Sequence, residues 1–462
     1  MKIIKSHILL SFIFIFTMYS SIVEAQQLDT KVEILARIQA PTFPERTFSV
    51  LDFGASPDSG RDSKPAFDRA ILACKAAGGG HVIVPKGDYF LEGPLHLESN
   101  LNLVLKAGST LRFSSNPNSY PNVLTSWEGT IIYNYSPFIY AYQKENIAIT
   151  GSGTIDGESA KTFAKWHGKQ KTDQLLTREM NHKGIPFSDR QFGKGHFLRP
   201  QLIQFFECKN ILMEDVHIED SPFWCVHLLK CENATLRGLS YDAQNKNNDG
   251  IDPEYSKDIL IENITFNNND DNVAIKAGRD HEGRAMKMPT ENIIIRNCHF
   301  KGLHAVVIGS EMSSNVRNIF VENSDYTGYV KRGVYIKSNP DRGGQISDVF
   351  VNNVEFGNVL DCFMITSNYH NEGAGFPTRI KNINLNNLKC KRAENYGVYI
   401  KGHPLKKVQD INIKNMTVDE VGRDVFVDFA DDISFKNLEI NGKVVKANLE
   451  KLKENPSTEY DY

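Results

Sequence analysis

The chain has 462 residues, of which 40% are hydrophobic and 24% are charged, and its formal net charge is −3 at pH 7. This length allows a large core, and the slightly acidic balance argues against a nucleic-acid-binding protein, which normally carries a strongly basic face. The 33 glycines and the many asparagines favour turns, and long helical periodicity is scarce.

The first 25 residues have the pattern of a secretory signal peptide. Lys2 and Lys5 precede an apolar run over residues 8–19, and Val23 and Ala25 occupy positions −3 and −1 of a cleavage site. The apolar run is shorter than a membrane-spanning helix requires. We therefore expect an exported protein, periplasmic or extracellular after cleavage, without stable membrane insertion. An uncleaved membrane anchor is the alternative.

The cysteines indicate neither a zinc site nor a dense disulfide framework. There are seven, an odd number, at irregular spacings and without a Cys-x-x-Cys pair. We expect mostly buried thiols, and one or two bridges within Cys208, Cys225 and Cys231 are left open.

Residues 26–46 are expected to form a leading arm or linker. After a short strand from Phe48, a helix is predicted over residues 63–77, and it is the only convincing amphipathic helix in the pattern. Its apolar residues recur at i, i+3, i+4 and i+7: Phe67, Ala70, Ile71 and Cys74.

A short unit, an Asn or Asp followed by alternating apolar residues, then recurs ten times. Its copies begin at Asn146, Asn210, Asn233, Asp258, Asn292, Asn318, Asp348, Asn382, Asp410 and Asp432. From the second copy onward the intervals are 23, 25, 34, 26, 30, 34, 28 and 22 residues. Such strands are too short to be stable alone, but stacked copies bury a continuous apolar stripe and pair one another's backbone edges. The asparagines at the turns are interpreted as structural ladders.

The predicted fold is therefore all-β, a single-domain right-handed parallel β-helix over residues 47–445. The helix over 63–77 is expected to cap the first coil. Short intervals are bare coils and long ones carry an added loop, whereas a leucine-rich repeat would need a Leu-x-x-Leu-x-Leu frame that is absent. The insertion at 157–200 is positioned to wall off one end of a surface groove, and residues 446–462 are expected to be a polar tail.

Three aspartates, Asp249, Asp270 and Asp271, follow neighbouring repeats. Because adjacent strands of stacked coils lie ~4.8 Å apart, these carboxylates are expected on one outer face, with His304 and Lys337 at the same point of the next coils. Clustered carboxylates repel one another, so one should hold a proton near neutral pH while another stays ionised. Glycoside hydrolysis requires this division between an acid and a base or nucleophile. A Ca²⁺ site with oxygen ligands is the rival interpretation.

Several motifs occur in a specific order through this region. They are Asn247-x-Asp249-Gly250, Asp270-Asp271 before residues 273–280, His304 ahead of Ile308-Gly309-Ser310-Glu311, Arg332-Gly333-x-x-Ile336-Lys337, Leu198-Arg199-Pro200 and Ser221-Pro222-Phe223-Trp224. The set resembles glycoside hydrolase family 28, the polygalacturonase family, over about residues 47–445. The resemblance implies an inverting hydrolase of pectic polysaccharide that needs no cofactor and no metal.

By position, the resemblance implies that Asp270 is the general acid and that Asp249 and Asp271 hold and deprotonate the water. His304 would keep the acid polarised, and Lys337 would meet a substrate carboxylate as a point charge.

Two positions depart from the family pattern. Gly-His-Gly becomes Leu303-His304-Ala305, and Arg-Ile-Lys becomes Tyr335-Ile336-Lys337, which removes a guanidinium expected to grip a carboxylate. Tyr335 is expected to stack on a sugar instead. The subsite is expected either to prefer a neutral or differently linked sugar, such as rhamnose, or to use Arg332, Arg279 or Arg342 in place of the missing guanidinium. The residues predicted to bind substrate are Asn247, Lys337, Tyr335, Arg332 and Arg279, with Arg342 as a further candidate.

The insertion at 157–200 and the loops near 279–288 and 338–345 favour action on chain ends over internal cutting. We expect a monomer whose partner is a pectic poly- or oligosaccharide. Two alternatives stay open: a calcium-dependent pectic lyase with the same fold class, and a non-catalytic carbohydrate-binding β-helix.

Overall fold

The computed structural model describes residues 30–326 and 328–446. The predicted signal peptide and residues 447–462 of the predicted tail lie outside this part of the chain. Among the described residues, no helix is both long enough and apolar enough to cross a membrane.

The strands of the described residues are short in the first half of the chain and longer in the second half. In chain order they are β1 (Thr47–Ser49), β2 (Gly80–Val84), β3 (Gly87–Leu91), β4 (Leu95–His96), β5 (Leu101–Leu105), β6 (Ser109–Phe113), β7 (Asn122–Trp127), β8 (Thr130–Tyr135), β9 (Ile139–Tyr142), β10 (Glu145–Thr150), β11 (Thr154–Asp156), β12 (Ile203–Phe206), β13 (Lys209–Glu214), β14 (His217–Glu219), β15 (Val226–Leu229), β16 (Glu232–Arg237), β17 (Ser240–Asp242), β18 (Ile251–Glu254), β19 (Lys257–Glu262), β20 (Asn268–Ile275), β21 (Thr290–Arg296), β22 (His299–Phe300), β23 (Gly302–Ile308), β24 (Val316–Tyr326), β25 (Tyr329–Lys337), β26 (Gln345–Thr366), β27 (Arg379–Lys401), β28 (Val408–Asp428), β29 (Ala430–Ile440) and β30 (Lys443–Val444).

Nearly all of these strands pair in parallel, and each coil of the chain contributes strands to up to three stacked sheets. The site sheet runs β4, β9, β12, β15, β18, β20, β23 and β25 and continues through the last parts of β26 to β28. The repeat sheet runs from β1 through β10, β16 and β24 to β29, and the third sheet contains β3, β6, β11, β14 and β17. This confirms the predicted right-handed parallel β-helix.

The repeat predicted from the sequence lies in the repeat sheet. The apolar residue after each Asn or Asp stacks in register from Ile147 to Ile433. The ten Asn or Asp residues have φ between 54° and 60°, a left-handed conformation that these side chains tolerate. Asn210 donates to Asn146 at 2.9 Å, and Asn146 donates to Asn100 at 2.8 Å. The interpretation as structural turn ladders is confirmed.

Four helices interrupt or flank the coils of the described chain: α1 (30–37), α2 (Lys64–Ala76), α3 (Lys171–His182) and α4 (Asp280–Met286). Helix α2 buries the four predicted apolar residues against the first coil, as expected. The expectation of a single amphipathic helix is wrong, because α3 packs Leu176 and Met180 onto a second apolar cluster. Its buried positions include Asp173, Thr177 and Asn181, so its pattern is hidden among polar residues.

Residues 30–46 form a docked arm. Ile34 is 1% exposed and packs with Leu260, Ile294, Phe320 and Phe350, which point outward from the repeat sheet. Beside this contact Lys31 pairs with Glu322 at 2.7 Å, and Arg37 pairs with Asp258 at 2.9 Å. The arm therefore covers an apolar patch that the coils alone would leave open to water.

All seven cysteines are buried as free thiols. The expectation of buried thiols is confirmed, and the disulfide bridges left open within Cys208, Cys225 and Cys231 are not formed.

Truncating Phe67 should destabilise the fold, because its ring is fully buried between α2 and the first coil. We expect Phe67→Ala to lower the free energy of unfolding by about 3–5 kcal/mol. The matched control is Leu72→Ala on the exposed side of the same helix, where the change should stay within about 0.5 kcal/mol. Urea unfolding followed by circular dichroism measures both, and equal midpoints for the two variants would refute the capping role of α2.

Candidate active site

A cavity of about 480 Å³ opens on the outer face of the site sheet. This volume lies within the usual range for small-molecule and cofactor sites. The predicted site residues that line it are Asn247, Asp249, Asp270, Asp271, His304, Arg332, Tyr335 and Lys337. The coils have therefore brought together residues that are up to 90 positions apart in the sequence.

Asp271 is the carboxylate most firmly held in the ionised form. It pairs with His304 in the β20–β23 register, next to an irregularity between Asn268 and Asp271. Its Oδ1 accepts a hydrogen bond from His304 Nδ1 at 2.6 Å, and its Oδ2 accepts one from Lys337 Nζ at 3.1 Å. Burial alone would raise the pKa of Asp271, but the Lys337 charge and the His304 hydrogen bond outweigh burial and hold that pKa far below its usual range.

Asp270 has the opposite environment although it is the preceding residue. Burial and the charge of Asp271 raise the pKa of Asp270 to about 6. Asn247 Nδ2 lies 3.4 Å from Asp270 Oδ2, and Arg199 holds that asparagine by donating to its Oδ1 at 2.6 Å. A proton on Asp270 is thus available at mildly acidic pH beside an ionised Asp271.

Asp249 shares a single ammonium group with two other carboxyls. Lys276 Nζ lies 3.5 Å from Asp249, 3.4 Å from Asp252 and 3.7 Å from Glu311. Burial and the neighbouring Asp252 and Asp270 raise the pKa of Asp249 well above its usual range. The directions of these pKa shifts agree with the predicted division of protonation states, but they favour the protonated form of Asp249, which was expected to help deprotonate the water.

Asp252 and Lys276 are functional-site residues that the sequence analysis did not assign. Each follows an inward residue of a strand, Ile251 or Ile275, and alternation along a strand places the next side chain outward. The alternation of side chains along a strand is therefore the sequence signal by which Asp252 and Lys276 could be found.

The predicted alignment of His304 with Lys337 is wrong. In the β23–β25 register the partner of His304 is Arg332, and Lys337 pairs with Thr366 on the next coil. The number of residues between two strands includes their loops, so equal intervals do not imply equal positions on successive coils. The Lys337 ammonium nevertheless reaches Asp271.

Tyr335 does not present its ring to a sugar. The side chain has no exposed surface and packs with Val307 and Met364 below His304, whose ring centroid is 5.4 Å away. The ring of Tyr335 is therefore not exposed for the predicted stacking on a sugar in this structure, although the residue borders the cavity.

The three arginines considered as ligands for a substrate carboxylate all contact other groups of the protein. Arg279, which is not among the residues lining the cavity, is 2% exposed and donates from Nε to Asp280 at 2.9 Å. Arg342 donates to the Ser310 carbonyl at 2.8 Å and also pairs with Asp280. Arg332 is buried with its NH1 3.3 Å from His304 Nε2. The predicted substrate contact of Arg279 does not fit its position.

The rival calcium site fits poorly. Asp270, Asp271 and His304 offer ligand atoms within 4.8 Å of one another, which is compatible with a metal ion. However, both Asp271 oxygens already accept hydrogen bonds, and the Lys337 and Lys276 ammonium groups oppose a cation here. Ca²⁺ also requires six to eight oxygen ligands, which this group does not supply.

The opposite environments of the two adjacent aspartates predict opposite stability changes. The folded protein resists ionisation of Asp270, so stability is lost as the pH rises from the ordinary pKa of an aspartate to the folded-state pKa of about 6, and the full cost is present above that pH. Asp270→Asn should therefore raise the free energy of unfolding at pH 7.5 by about 1–3 kcal/mol, since one pKa unit is about 1.4 kcal/mol. The gain should disappear near pH 4, where the folded protein keeps this carboxyl protonated.

Asp271→Asn is the matched control. Its carboxylate is stabilised by Lys337 and His304, so its removal should destabilise the protein at pH 7.5. Urea midpoints at pH 7.5 and pH 4 measure both variants, and a destabilised Asp270→Asn at pH 7.5 would contradict the assignment.

Comparisons with known proteins agree on one family. The sequence profile described as Glycosyl hydrolases family 28 matches residues 74–431. A probable polygalacturonase of Vitis vinifera is 26% identical over 389 residues, which cover 80% of this chain and 74% of the relative. An endo-polygalacturonase of Pectobacterium carotovorum subsp. carotovorum is 32% identical over 294 residues, which cover 62% of this chain and 68% of the relative.

A solved structure extends the likeness to three dimensions. The crystal structure of a hyperthermoactive exopolygalacturonase from Thermotoga maritima has a TM-score of 0.87 and 37% identity, covering 90% of this chain and 96% of that chain. The family profile spans well over half of the chain, and its matched range contains every residue of the cavity described above. The protein is therefore a member of glycosyl hydrolase family 28, and it is a glycoside hydrolase.

Proposed function

We propose that the protein hydrolyses glycosidic bonds in pectic, galacturonate-containing poly- or oligosaccharides, with inversion of configuration and from a chain end. The observation that carries this proposal is the pair Asp270 and Asp271, adjacent in sequence, opposite in protonation and placed beside Lys337 in one cavity. The relatives named polygalacturonases support the substrate class.

In the proposed reaction Asp270 donates its proton to the oxygen of the leaving sugar. Asp271 accepts a proton from a water molecule as that water attacks the anomeric carbon, and the Asp249 carboxyl orients the water. The cycle leaves Asp270 ionised and Asp271 protonated, and exchange with solvent restores both. His304 orients the Asp271 carboxylate through its hydrogen bond.

The hydrogen bonding of Asp271 favours a base over a nucleophile. Its oxygens each accept a hydrogen bond, from His304 and from Lys337, which reduces their reactivity towards carbon. An inverting enzyme needs a carboxylate that activates water in place of one that attacks the sugar itself.

Basic side chains around the cavity suit an acidic substrate. Lys171, Arg178, Lys331 and Lys337 contribute to its lining. Ammonium and guanidinium groups attract carboxylates, and here they lie among the acidic lining residues Glu128, Glu311 and Glu372. Lys337, next to the catalytic pair, is the proposed contact for a galacturonate carboxylate, and Asn247 is the proposed contact for a sugar hydroxyl.

One end of the groove is closed. On the amino-terminal side of Asp249, the hairpin β7–β8 covers the site sheet, and its Trp127 stacks on Phe223 at 5.3 Å. Beneath this hairpin His227 has no exposed surface and pairs with Glu254 at 3.0 Å. A polysaccharide lying along the sheet would meet the side chains of this hairpin, which supports attack at a chain end.

Helix α3 adds to this closure. Arg178 of α3 pairs with Glu372, on the loop after β26, at 3.1 Å, and it lies 3.5 Å from Glu128 of the hairpin loop. Three separate parts of the chain thus meet at one side of the cavity. This arrangement supports the chain-end action expected from the insertion at 157–200, and the Thermotoga maritima relative is itself named an exopolygalacturonase.

Pectic polysaccharides lie outside the cytoplasm, in agreement with the export predicted from residues 1–25. Export and the monomeric state stay predictions.

Removing the proposed acid should abolish turnover without unfolding the protein. We expect Asp270→Asn to lower kcat by about 10²- to 10⁴-fold, the usual contribution of general acid catalysis. The control Asp325→Asn, an exposed carboxyl outside the cavity, should retain the activity of the parent protein. Activity of the parent should fall as the pH rises through about 6, because Asp270 must carry its proton.

The assay should follow reducing ends and ultraviolet absorbance on polygalacturonan, its oligomers and rhamnogalacturonan fragments, with and without a chelator. Chelator-resistant release of saturated sugars supports the hydrolase, and the preferred substrate reports the effect of the missing arginine at position 335. Chelator-sensitive absorbance would establish the lyase alternative, and binding without turnover on every substrate would establish the carbohydrate-binding alternative.

The products should identify both the stereochemistry and the site of attack. For an α-linked galacturonan we expect proton NMR to show the β-anomer of the new reducing end first, before mutarotation. We also expect reducing ends to accumulate while the viscosity of the polymer hardly changes. An early fall in viscosity would show internal cutting, and an initial α-anomer would show retention.

A further inference from the structure

A line of four polar residues crosses the site sheet at one position of successive coils. Asp271 pairs with His304, His304 with Arg332 and Arg332 with Asp361 in the strand registers. Their side chains are connected in the same order, with 2.6 Å from Asp271 Oδ1 to His304 Nδ1, 3.3 Å from His304 Nε2 to Arg332 NH1 and 3.4 Å from Arg332 Nε to Asp361 Oδ2. In-register stacking of parallel strands produces this connection.

The contact with Arg332 determines which nitrogen of His304 carries the proton. A guanidinium has only N–H donors, so His304 Nε2 must be the acceptor in this hydrogen bond. The remaining nitrogen, Nδ1, then carries the hydrogen and donates it to Asp271 Oδ1. The ring is neutral, since a proton on Nε2 would point at the Arg332 guanidinium.

The far end of the line fixes the arginine. Asp361 has no exposed surface, and its Oδ1 accepts hydrogen bonds from Asn395 Nδ2 at 3.1 Å and from the Tyr396 backbone N–H at 3.2 Å. These bonds hold the carboxylate in an ion pair with Arg332 Nε, which also donates to Met364 Sδ at 2.9 Å. A buried arginine between an anion and an imidazole acceptor has little freedom to turn towards the cavity.

We propose that Arg332, anchored by Asp361, is a positioning residue that holds His304 as the neutral Nδ1–H tautomer and so keeps Asp271 ionised and correctly oriented as the base. The catalytic part of this inference rests on the hydrolysis proposed above. This positioning role replaces the substrate contact that the sequence predicted for Arg332. Burial, together with Lys337 and Arg332, lowers the pKa of His304 to about 4, in agreement with a neutral ring.

Tyr335 has a place in this arrangement. The Arg332 guanidinium lies 4.7 Å from the centre of the Tyr335 ring, and the Lys337 ammonium lies 5.4 Å from it. An aromatic face attracts both cations. An arginine at 335 would bring a third positive charge between them, so the exchange of arginine for tyrosine is coupled to the position of Arg332.

The direct test is nitrogen NMR of the histidine rings in the full-length protein, with His304→Gln used to assign the His304 signals. We expect the parent protein to show a bare Nε2 and a protonated Nδ1 from pH 5 to pH 8. A proton on Nε2, or a charged ring at pH 6, would overturn the proposal. This measurement requires neither a variant of Arg332 nor a substrate.

The variants Arg332→Met and Arg332→Lys test the consequence. Without a donor at this position, His304 should protonate at a higher pH, and the acid limb of kcat/KM should move to higher pH. We expect kcat of Arg332→Met to fall by about tenfold, a part of the general acid–base contribution, with KM changed less than about threefold. Arg332→Lys keeps a donor and should restore part of the loss.

Arg317→Met is the matched control, because this exposed arginine lies on the repeat sheet and pairs with Glu291. It should leave the tautomer and the pH profile unchanged. An unchanged tautomer and acid limb in Arg332→Met would refute the positioning role. If Arg332→Met does not fold, the parent spectrum and Arg332→Lys decide. Absence of activity on every pectic substrate would count against the proposed function and leave the NMR result intact.

Discussion

Parallel stacking of strands in register is the constraint on which this molecule depends. Each coil repeats the position of the previous one at a spacing of ~4.8 Å, so a side chain has fixed neighbours one coil earlier and one coil later. The same constraint builds the apolar ladder from Ile147 to Ile433 and the polar line from Asp271 to Asp361. The same stacking of coils thus aligns the inward side chains that form the core and the outward side chains that form the site.

The stacking also explains how two adjacent aspartates acquire different chemistry. Asp271 lies level with His304 and within reach of Lys337, whereas Asp270 receives the backbone N–H of Asp271 at 3.1 Å and the more distant amide of Asn247. Charge–charge contacts in a buried site change a pKa far more than contacts in water do. Neighbouring coils, more than the aspartates themselves, therefore separate the pKa values of the proposed acid and the proposed base.

Much of the fold was predictable because it repeats. Ten copies of one short pattern gave the repeat sheet, and the spacing of Phe67 to Cys74 gave the capping helix. The aspartates and His304 were found because polar residues recur on one outer face. An arm or linker was predicted over residues 26–46, but its docking and helix α3 were missed, because a short apolar stripe such as Leu176 and Met180 can be recognised only with the surface that it covers.

The errors within the site have a common physical origin. Sequence intervals count loop residues, so they placed Lys337 level with His304 when Arg332 occupies that position. Burial of an arginine or a tyrosine depends on the neighbouring coils, so the sequence could not show that Tyr335 and Arg279 are inside the protein. The alternation of inward and outward side chains along a strand identifies Asp252 and Lys276 as outward residues. That identification requires a known strand register, which the sequence does not provide.

The docked arm has a consequence for the order of folding. Ile34 packs on Phe320 and Phe350, and Lys31 pairs with Glu322, 291 positions later in the chain. During synthesis the arm therefore has no complete docking surface until about three quarters of the protein exists, and contacts at such sequence separation form slowly. The amino-terminal segment stays accessible through most of translation, and its docking marks the completion of the coils it crosses.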